Sequence, residues 1–202
     1  DADRAERTRH RDRSADDPHV LRGGKRGPHR IVTGGHHAGT SALEHVDALV
    51  ARHEVQSSEQ LFTEALFCED PAVWCSILEH HPEDGAAPDA DGWEIAGMAI
   101  WFRNFFTWTA KHSIYLDDLY VREQYRGLGY GKALLQHLAQ ICVDRGYPRL
   151  DWWVLDWNPA VDFYKRIGAI SMDDWTVNRL TGPALERLAS GRFDDTGDPE
   201  AV

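Results

Sequence analysis

The 202-residue sequence predicts an α/β fold in which helices flank one mixed sheet. Short apolar runs alternate with segments of helical periodicity, which is typical of this class. A glycine-rich turn joins one apolar run to one helical segment, as in strand–turn–helix units. An apolar content of 42% with eight tryptophans favours a packed core over disorder. This length suits a single domain with terminal tails.

The first half of the chain is predicted to hold three strands and two helices after a flexible arm. Residues 1–28 mix Arg, Asp and His without apolar periodicity, which is typical of a solvated charged arm. Two capping signals, Ser41 with Glu44 and the pair Ser57–Ser58, each precede apolar residues at helical spacing. Residues 82–92 are rich in Pro, Gly and Asp, as in a hairpin loop. The predicted elements are a strand at 29–33, helices at 41–53 and 58–67, and strands at 73–78 and 93–102.

The second half continues the alternation of strand and helix. Residues 150–155 are nearly all apolar, which favours a central strand. Gly146 with Pro148, and Gly168 further on, are signals that end helices. The predicted elements are a strand at 114–121, a helix at 133–143, a strand at 150–155, a helix at 158–167, a strand at 172–180 and a helix at 183–189. The predicted domain therefore spans 29–190, and an acidic tail follows at 191–202.

Composition excludes several functional classes. The formal net charge of −11 argues against a nucleic-acid partner and favours cationic ligands. The three cysteines lack C-x-x-C spacing, so no disulfide framework is predicted. The adjacent pairs His36-His37 and His80-His81 are poor geometry for a metal, and no carboxylate pattern completes a site, so no metal site is predicted. No apolar run approaches the ~20 residues of a membrane span, and no signal-peptide pattern is present. We therefore expect no membrane partner and a cytoplasmic location.

The glycine-rich turn reads QYRGLGYGK at 124–132 and predicts a phosphate-bearing ligand. Glycine lets the backbone approach a ligand and adopt positive φ, and the free amides at a helix start bind anions. Register excludes two common phosphate loops. A P-loop would need four residues between Gly127 and the glycine before the lysine, and a dinucleotide fingerprint would need glycine in place of Lys132.

Four ordered motifs carry a resemblance to a known family. They are YLDDLYV at 115–121, YRGLGYG at 125–131, Trp157-Asn158, and FYKRIGA at 163–169. With them the sequence resembles the GNAT N-acetyltransferase superfamily, and within it the diamine (spermidine/spermine) branch, over about 41–190. The resemblance implies a mixed sheet in which two neighbouring parallel strands splay apart. The gap between them would form a cleft for acetyl-CoA.

The resemblance also implies which residues bind acetyl-CoA as co-substrate. The strand before the turn would pair through its backbone with the pantetheine arm, and the turn would hold the pyrophosphate. The implied cofactor-binding residues are Leu119, Tyr120, Val121, Arg126, Gly127, Leu128, Gly129, Tyr130, Gly131, Lys132 and Asn158. The sequence Asn158-Pro159-Ala160 is one residue shorter than the spacing that follows this asparagine in the family.

The implied reaction is acetyl transfer from a thioester to an amine, by direct attack in a ternary complex. An alkylamine has a pKa near ~10 and arrives protonated, so a base is needed. The resemblance assigns this role to Asp117, which acts through water because it is shorter than the usual glutamate. It assigns proton donation to the leaving thiolate to Tyr164, and substrate binding to Asp118 and Glu54. Consecutive strand residues face opposite sides, so Asp117 and Asp118 reach one pocket only if a β-bulge intervenes.

The predicted partner is a small amine, with polyamines and diamines first, and the family implies a homodimer. Two alternatives stay open. One is acetylation of a free amino acid or thialysine-like amine, which would need a carboxylate-binding cation such as Lys111 or Arg103. The other is a non-catalytic acyl-CoA-binding regulatory module.

Overall fold

The computed structural model describes residues 29–33, 59–81 and 92–191. The chain divides into two compact units, one ending at Trp153 and one beginning at Val154. Four predicted segments lie outside the described residues, namely the arm at 1–28, the helix at 41–53, most of the loop at 82–92 and the tail beyond 191. The single domain predicted at 29–190 stays a prediction.

The first unit contains a five-stranded mixed sheet in the order β1-β2-β3-β4-β5. Strands β1 to β4 pair antiparallel, and β5 pairs parallel to β4. The strands are β1 (His29–Thr33), β2 (Val73–His80), β3 (Glu94–Phe106), β4 (Lys111–Val121) and β5 (Leu150–Trp152). This confirms the predicted mixed α/β architecture and the strands near 29–33, 73–78, 93–102 and 114–121. β3 and β4 are longer than predicted because they pair as far as Phe106 and Lys111.

Among the described residues, two α-helices belong to the first unit and two to the second. They are α1 (Glu59–Phe67) and α2 (Tyr130–Asp144), then α3 (Val161–Arg166) and α4 (Gly182–Ala189). The predicted helix at 158–167 is shorter in the structure. Pro159 disfavours helical geometry at the residue before it, and the side-chain oxygen of Asn158 instead accepts a hydrogen bond from the Ala160 amide at 2.9 Å.

Two strand predictions were wrong. The run at 150–155 gives only three strand residues, and β5 lies at the edge of the described sheet instead of its centre. Residues 172–180 form no strand, and all of them are exposed. A strand needs a neighbour for its backbone hydrogen bonds, and the described part of the second unit contains no strand. The apolar pattern alone does not reveal whether such a neighbour exists.

One face of the sheet packs against α1. Its buried cluster consists of Cys75, Ile77, Met98 and Ile100, and Phe62 of α1 is among the partly buried side chains packed against it. Burial raises the pKa of the Cys75 thiol to about 12, so this cysteine is an inert core residue.

The opposite face carries α2 and a buried polar network. The Thr33 hydroxyl lies 2.8 Å from the Ser76 hydroxyl and 2.9 Å from Nε2 of His137 on α2. The indole of Trp101 donates to the Ser76 hydroxyl at 3.1 Å. These four side chains are all buried, and the network joins β1, β2 and β3 to α2. Buried polar groups that satisfy each other in this way fix one arrangement of the elements.

The His137 network predicts a pH-dependent stability. Burial lowers the pKa of His137 to about 4 from 6.5, so the folded protein holds it neutral while the unfolded chain binds a proton below 6.5. Its contribution is complete above pH 6.5 and is lost as pH falls toward 4, by on the order of 3 kcal/mol. We expect His137→Gln to flatten this part of the curve of unfolding free energy against pH. The exposed His112→Gln should keep the wild-type slope; an unchanged slope in His137→Gln contradicts the assignment.

Candidate functional site

A β-bulge interrupts β4 at the two predicted carboxylates. Ile100 of β3 pairs with Asp118, and its neighbour Trp101 pairs with Leu116. Asp117 is therefore the extra residue of the bulge, and no residue of β3 pairs with it. This is the irregularity that two consecutive carboxylates need in order to serve one pocket. Asp117 is exposed and Asp118 is half-buried.

The electrostatics of these carboxylates place them near each other and near Tyr115. Burial raises the pKa of Asp118, and the charge of Asp117 raises it further. Burial also raises the pKa of Tyr115, and the charges of Asp117 and Asp151 raise it further. Like charges act in this way only at short range. Two carboxylates, Asp117 and Asp151, therefore act on Tyr115, and Asp118 lies close to Asp117.

An aromatic stack adjoins the carboxylates. The ring of Tyr115 stacks on Phe102 with centroids 4.9 Å apart, and Trp153 meets Tyr115 edge-on at 5.7 Å. Trp153 is 62% exposed. An open aromatic face beside carboxylates attracts ammonium groups. The sequence had not indicated this stack, because it forms by pairing across β3, β4 and β5; only Tyr115, two residues before Asp117, could have been found from strand periodicity.

The edge of β4 opens just beyond these groups. β5 pairs with β4 only opposite Ile114, Tyr115 and Leu116, whereas β4 continues to Val121. The pairing with β5 therefore ends at Leu116, and residues 117–121 of β4 extend beyond the last pair. The resemblance implied a gap between parallel strands at this place. The side chain of Tyr120 packs on the apolar cluster of the α1 face, so a ligand in the gap would meet this stretch through backbone.

The glycine turn follows β4 directly and leads into α2. Gly127 and Gly129 adopt φ of +83° and +84°, and a Cβ at either position would meet nothing within 4 Å. Backbone conformation, not crowding, therefore requires glycine at both. The first helical bond runs from the Ala133 amide to the Gly129 carbonyl at 3.0 Å. Amides 127–132 donate to no backbone carbonyl in the described chain, which makes them available to an anion.

Two buried tyrosines anchor this turn to the sheet. The Tyr125 hydroxyl donates to the carboxylate of Glu94, and the Tyr130 hydroxyl lies 2.6 Å from Nδ1 of His80. Burial, followed by the Glu94 contact, raises the pKa of Tyr125 to about 12. Tyr130 is 4% exposed, so it would meet a cofactor through its amide and not its ring. The sequence had indicated Tyr130 but neither Glu94 nor His80.

The remaining turn residues are open to solvent. Leu128, Arg126 and Lys132 are exposed, and Arg126 also donates through Nε to the Val121 carbonyl at 3.2 Å. Gly131 has ordinary backbone geometry, and a Cβ at this position would lie 3.9 Å from a methyl of Val121. Strain therefore does not require glycine there.

Two predicted site residues belong to the second unit. The Asn158 side-chain oxygen is bound to the Ala160 amide, which leaves its amide nitrogen as the group for a cofactor. Tyr164 lies on α3 and is half-buried, and burial raises its pKa. Its hydroxyl is therefore protonated at neutral pH, as a proton donor must be. Glu54 lies outside the described residues.

Neither a metal centre nor a membrane span emerges from the described ranges. They contain no group of three or more His, Cys, Asp or Glu residues that could hold a metal ion. None of their helices combines the length and apolarity needed to cross a bilayer.

Comparison with known proteins gives a family match. The model of the Acetyltransferase (GNAT) family matches residues 43–169, more than half of the chain. Among solved structures, the integron cassette protein VCH_CASS6 from the mobile metagenome of V. cholerae superposes with a TM-score of 0.63 at 26% identity, covering 81% of this chain and 99% of that one.

Three curated relatives are named as acetyltransferases or acetyltransferase-like. L-ornithine N5-acetyltransferase NATA1 of Arabidopsis thaliana is 40% identical over 95 residues, 46% of this chain and 42% of the plant protein. Thialysine N-epsilon-acetyltransferase of Mus musculus is 33% identical over 141 residues, 68% of this chain and 81% of the mouse protein. Spermidine/spermine N(1)-acetyltransferase-like protein 1 of Homo sapiens is 30% identical over 127 residues, 61% of this chain and 18% of the human protein. The chain thus spans less than half the length of the plant and human relatives.

The carboxylate cluster predicts coupled titration. Asp117→Asn removes one negative charge, so the pKa of Asp118 and that of Tyr115 should both fall. NMR titration of carboxyl and tyrosine ring carbons measures both. Asp144→Asn, at the exposed end of α2, should leave them unchanged. If the Asp117 variant also leaves them unchanged, the carboxylates do not share one site.

Proposed function

Because the chain belongs to the GNAT acetyltransferase family, we propose that it transfers the acetyl group of acetyl-CoA to a primary amine of a small cationic molecule. The observation that carries this is the order of features along β4. The bulge at Asp117 presents two carboxylates, and the open strand edge and the glycine turn follow within a few residues. A site for an ammonium group thus lies beside a site for a phosphate-bearing thioester.

The first unit offers a cradle that fits acetyl-CoA. Amides 127–132 would bind the pyrophosphate, since they lack backbone acceptors and stand at the positive end of α2. The edge of 119–121 would pair with the amides of the pantetheine arm, as an added strand does. Lys132 and Arg126, both exposed, supply positive charge to the phosphates. Acetyl-CoA itself supplies the activated acyl group.

In the proposed mechanism Asp117 and Tyr164 move the two protons. Asp117, exposed and one methylene shorter than glutamate, takes the ammonium proton through a water molecule, and the neutral amine attacks the thioester directly. Tyr164, kept protonated by its raised pKa, donates a proton to the leaving thiolate and takes up the second proton that the attacking nitrogen loses as the amide forms. Asp118 holds the substrate near the base.

Two substrate classes are supported by different observations. Polyamines and diamines are supported by the acidic, aromatic surface around Tyr115 and by the human relative. Amino acids with a side-chain amine are supported by the plant and mouse relatives, which are named for ornithine and thialysine. A regulatory module that only binds acyl-CoA is the less favoured alternative, since the relatives are named as enzymes. The homodimer and the cytoplasmic location stay predictions.

A thiol-release assay tests the proposed function and the role of Tyr164. The wild type should release CoA thiol from acetyl-CoA with at least one of spermidine, putrescine, lysine and thialysine. Tyr164→Phe should lower kcat by ~100-fold, the usual scale of general acid catalysis, with the KM for acetyl-CoA little changed. Tyr147→Phe, a tyrosine outside the predicted site, is the control. If none of the four amines leads to release of CoA thiol, the proposed enzymatic activity is refuted. If Tyr164→Phe keeps full turnover, the role of Tyr164 as the acid is refuted.

The glycine turn gives a prediction with a matched control. Gly129 and Gly146 both have positive φ, and a Cβ at either would meet nothing within 4 Å. Alanine at either position should therefore destabilise the fold by a similar ~1–2 kcal/mol of backbone strain. Only Gly129→Ala should also weaken acetyl-CoA binding, by ~10-fold or more, because it alters the amide cradle. Calorimetry and thermal melts measure the two effects. If the two variants bind acetyl-CoA with equal affinity, the turn is not part of the binding site.

A further inference from the structure

The glycine turn lies between two anchored residues. Tyr125 and Tyr130 are both buried, and only residues 126–129 separate them. Arg126 and Leu128 are exposed, and a Cβ on either glycine of this stretch would meet nothing within 4 Å. Contacts of the glycines themselves therefore do not hold the turn in one conformation. Its geometry depends on how firmly its two ends are held.

A tyrosine hydroxyl ties each end of the turn to the sheet. The Tyr125 hydroxyl donates to the carboxylate of Glu94, and the Tyr130 hydroxyl lies 2.6 Å from Nδ1 of His80. Burial raises the pKa of both tyrosines, so each keeps its hydroxyl proton at neutral pH and can donate it. Glu94 and His80 are therefore the strand residues on which the position of the turn depends.

A β-bulge in β3 brings Glu94 to the side of the sheet where the turn begins. The register between β2 and β3 shifts by one residue, so that no residue of β2 pairs with Ala96. Met98 belongs to the buried cluster of the α1 face and Ile95 packs against the same cluster, although an odd number of positions separates them. The extra residue accounts for this change of side. Glu94, one residue before Ile95, then faces α2 together with its cross-strand partner His80.

His80 contacts both ends of the turn. Its ring lies 4.9 Å from that of Tyr125 and 5.9 Å from that of Tyr130, between centroids, and the two tyrosine rings are 6.2 Å apart. These separations are typical of interacting aromatic pairs. Since Glu94 pairs directly with His80 across the strands, the two anchors form one packed unit beneath the turn.

We propose that Glu94 and His80 are positioning residues for acetyl-CoA. Acting through Tyr125 and Tyr130, they hold amides 127–132 in the arrangement that binds the pyrophosphate. Without them the turn samples other conformations, because glycine adopts positive and negative φ about equally readily, and binding must then supply the cost of ordering it. Neither residue lies in the motifs that indicated the site. The inference rests on the proposed function, since it concerns the acetyl-CoA site of that function.

Removing one hydrogen-bonding group at a time tests the proposal with little change in packing. Tyr125→Phe and Tyr130→Phe each delete a hydroxyl, and Glu94→Leu and His80→Phe each delete its acceptor. The KM for acetyl-CoA should rise ~3- to 10-fold, the scale of one hydrogen bond, with the larger loss for Glu94 because its acceptor is a carboxylate. The value of kcat at saturating acetyl-CoA should change less than ~2-fold, because neither residue touches the reacting atoms.

Glu79→Gln is the matched control. Glu79 precedes His80 on β2 and pairs with Arg30 on the opposite face of the sheet, so this variant loses a contact of the same strand without reaching the turn. It should leave the KM unchanged. The double variant His80→Phe/Tyr130→Phe should lose no more than either single variant, because all three lack the same hydrogen bond. Glu94→Gln keeps an acceptor oxygen and should recover part of the affinity that Glu94→Leu loses.

Two measurements separate positioning of the turn from a general loss of structure. S-acetylpantetheine is a thioester without the pyrophosphate, so kcat/KM with it should change less than ~2-fold in every variant. Backbone NMR order parameters of Gly127 and Gly129, measured without ligand, should fall in the His80 and Glu94 variants and keep their wild-type values in Glu79→Gln. Thermal melts report whether each variant is folded.

Three outcomes would overturn the inference. They are an unchanged KM for acetyl-CoA in both tyrosine variants, an equal rise in Glu79→Gln, and equal losses with acetyl-CoA and S-acetylpantetheine. Calorimetry with acetyl-CoA keeps this inference apart from the proposed function. If no amine leads to thiol release, but the wild type binds acetyl-CoA more tightly than the His80 and Glu94 variants do, acetyl transfer is refuted and the positioning role stands.

Discussion

The bulge in β4 is the constraint on which the arrangement of the site depends. A regular strand would send Asp117 and Asp118 to opposite faces, one toward α1 and one toward α2. The extra residue at Asp117 instead frees one carboxylate from the ladder while Asp118 keeps its place opposite Ile100. It also coincides with the end of the β4–β5 pairing at Leu116. One local irregularity thus sets both the position of the acids and the start of the open strand edge.

Two sets of side-chain contacts hold the neighbouring strands and α2 together. On the α2 face, the network of Thr33, Ser76, Trp101 and His137 fixes three strands and a helix in one register. The contacts of Tyr125 and Tyr130 with β3 and β2 then tie the start of α2 to the sheet. The residues around the glycines are firmly packed. The turn therefore stays ordered although its glycines adopt strained backbone geometry.

Local chemistry was predictable from the sequence, and non-local pairing was not. The turn at 124–132 was recognisable because the geometry of Gly127 and Gly129 is a property of a few consecutive residues. Two adjacent carboxylates indicated the need for a bulge, but its existence depends on the register with β3. The extent of β5 and the absence of a strand at 172–180 depend on neighbours that an apolar run does not specify.

The short pairing between β4 and β5 affects the stability of the protein. Only three residues of β4 pair with β5, and the strand continues for five residues beyond the last pair. A molecule that binds there by strand-like pairing completes the sheet, so its binding energy is also folding energy. The ligand is then part of the architecture as well as a reactant. Preparations with and without it would differ in melting temperature and in amide hydrogen exchange along this edge.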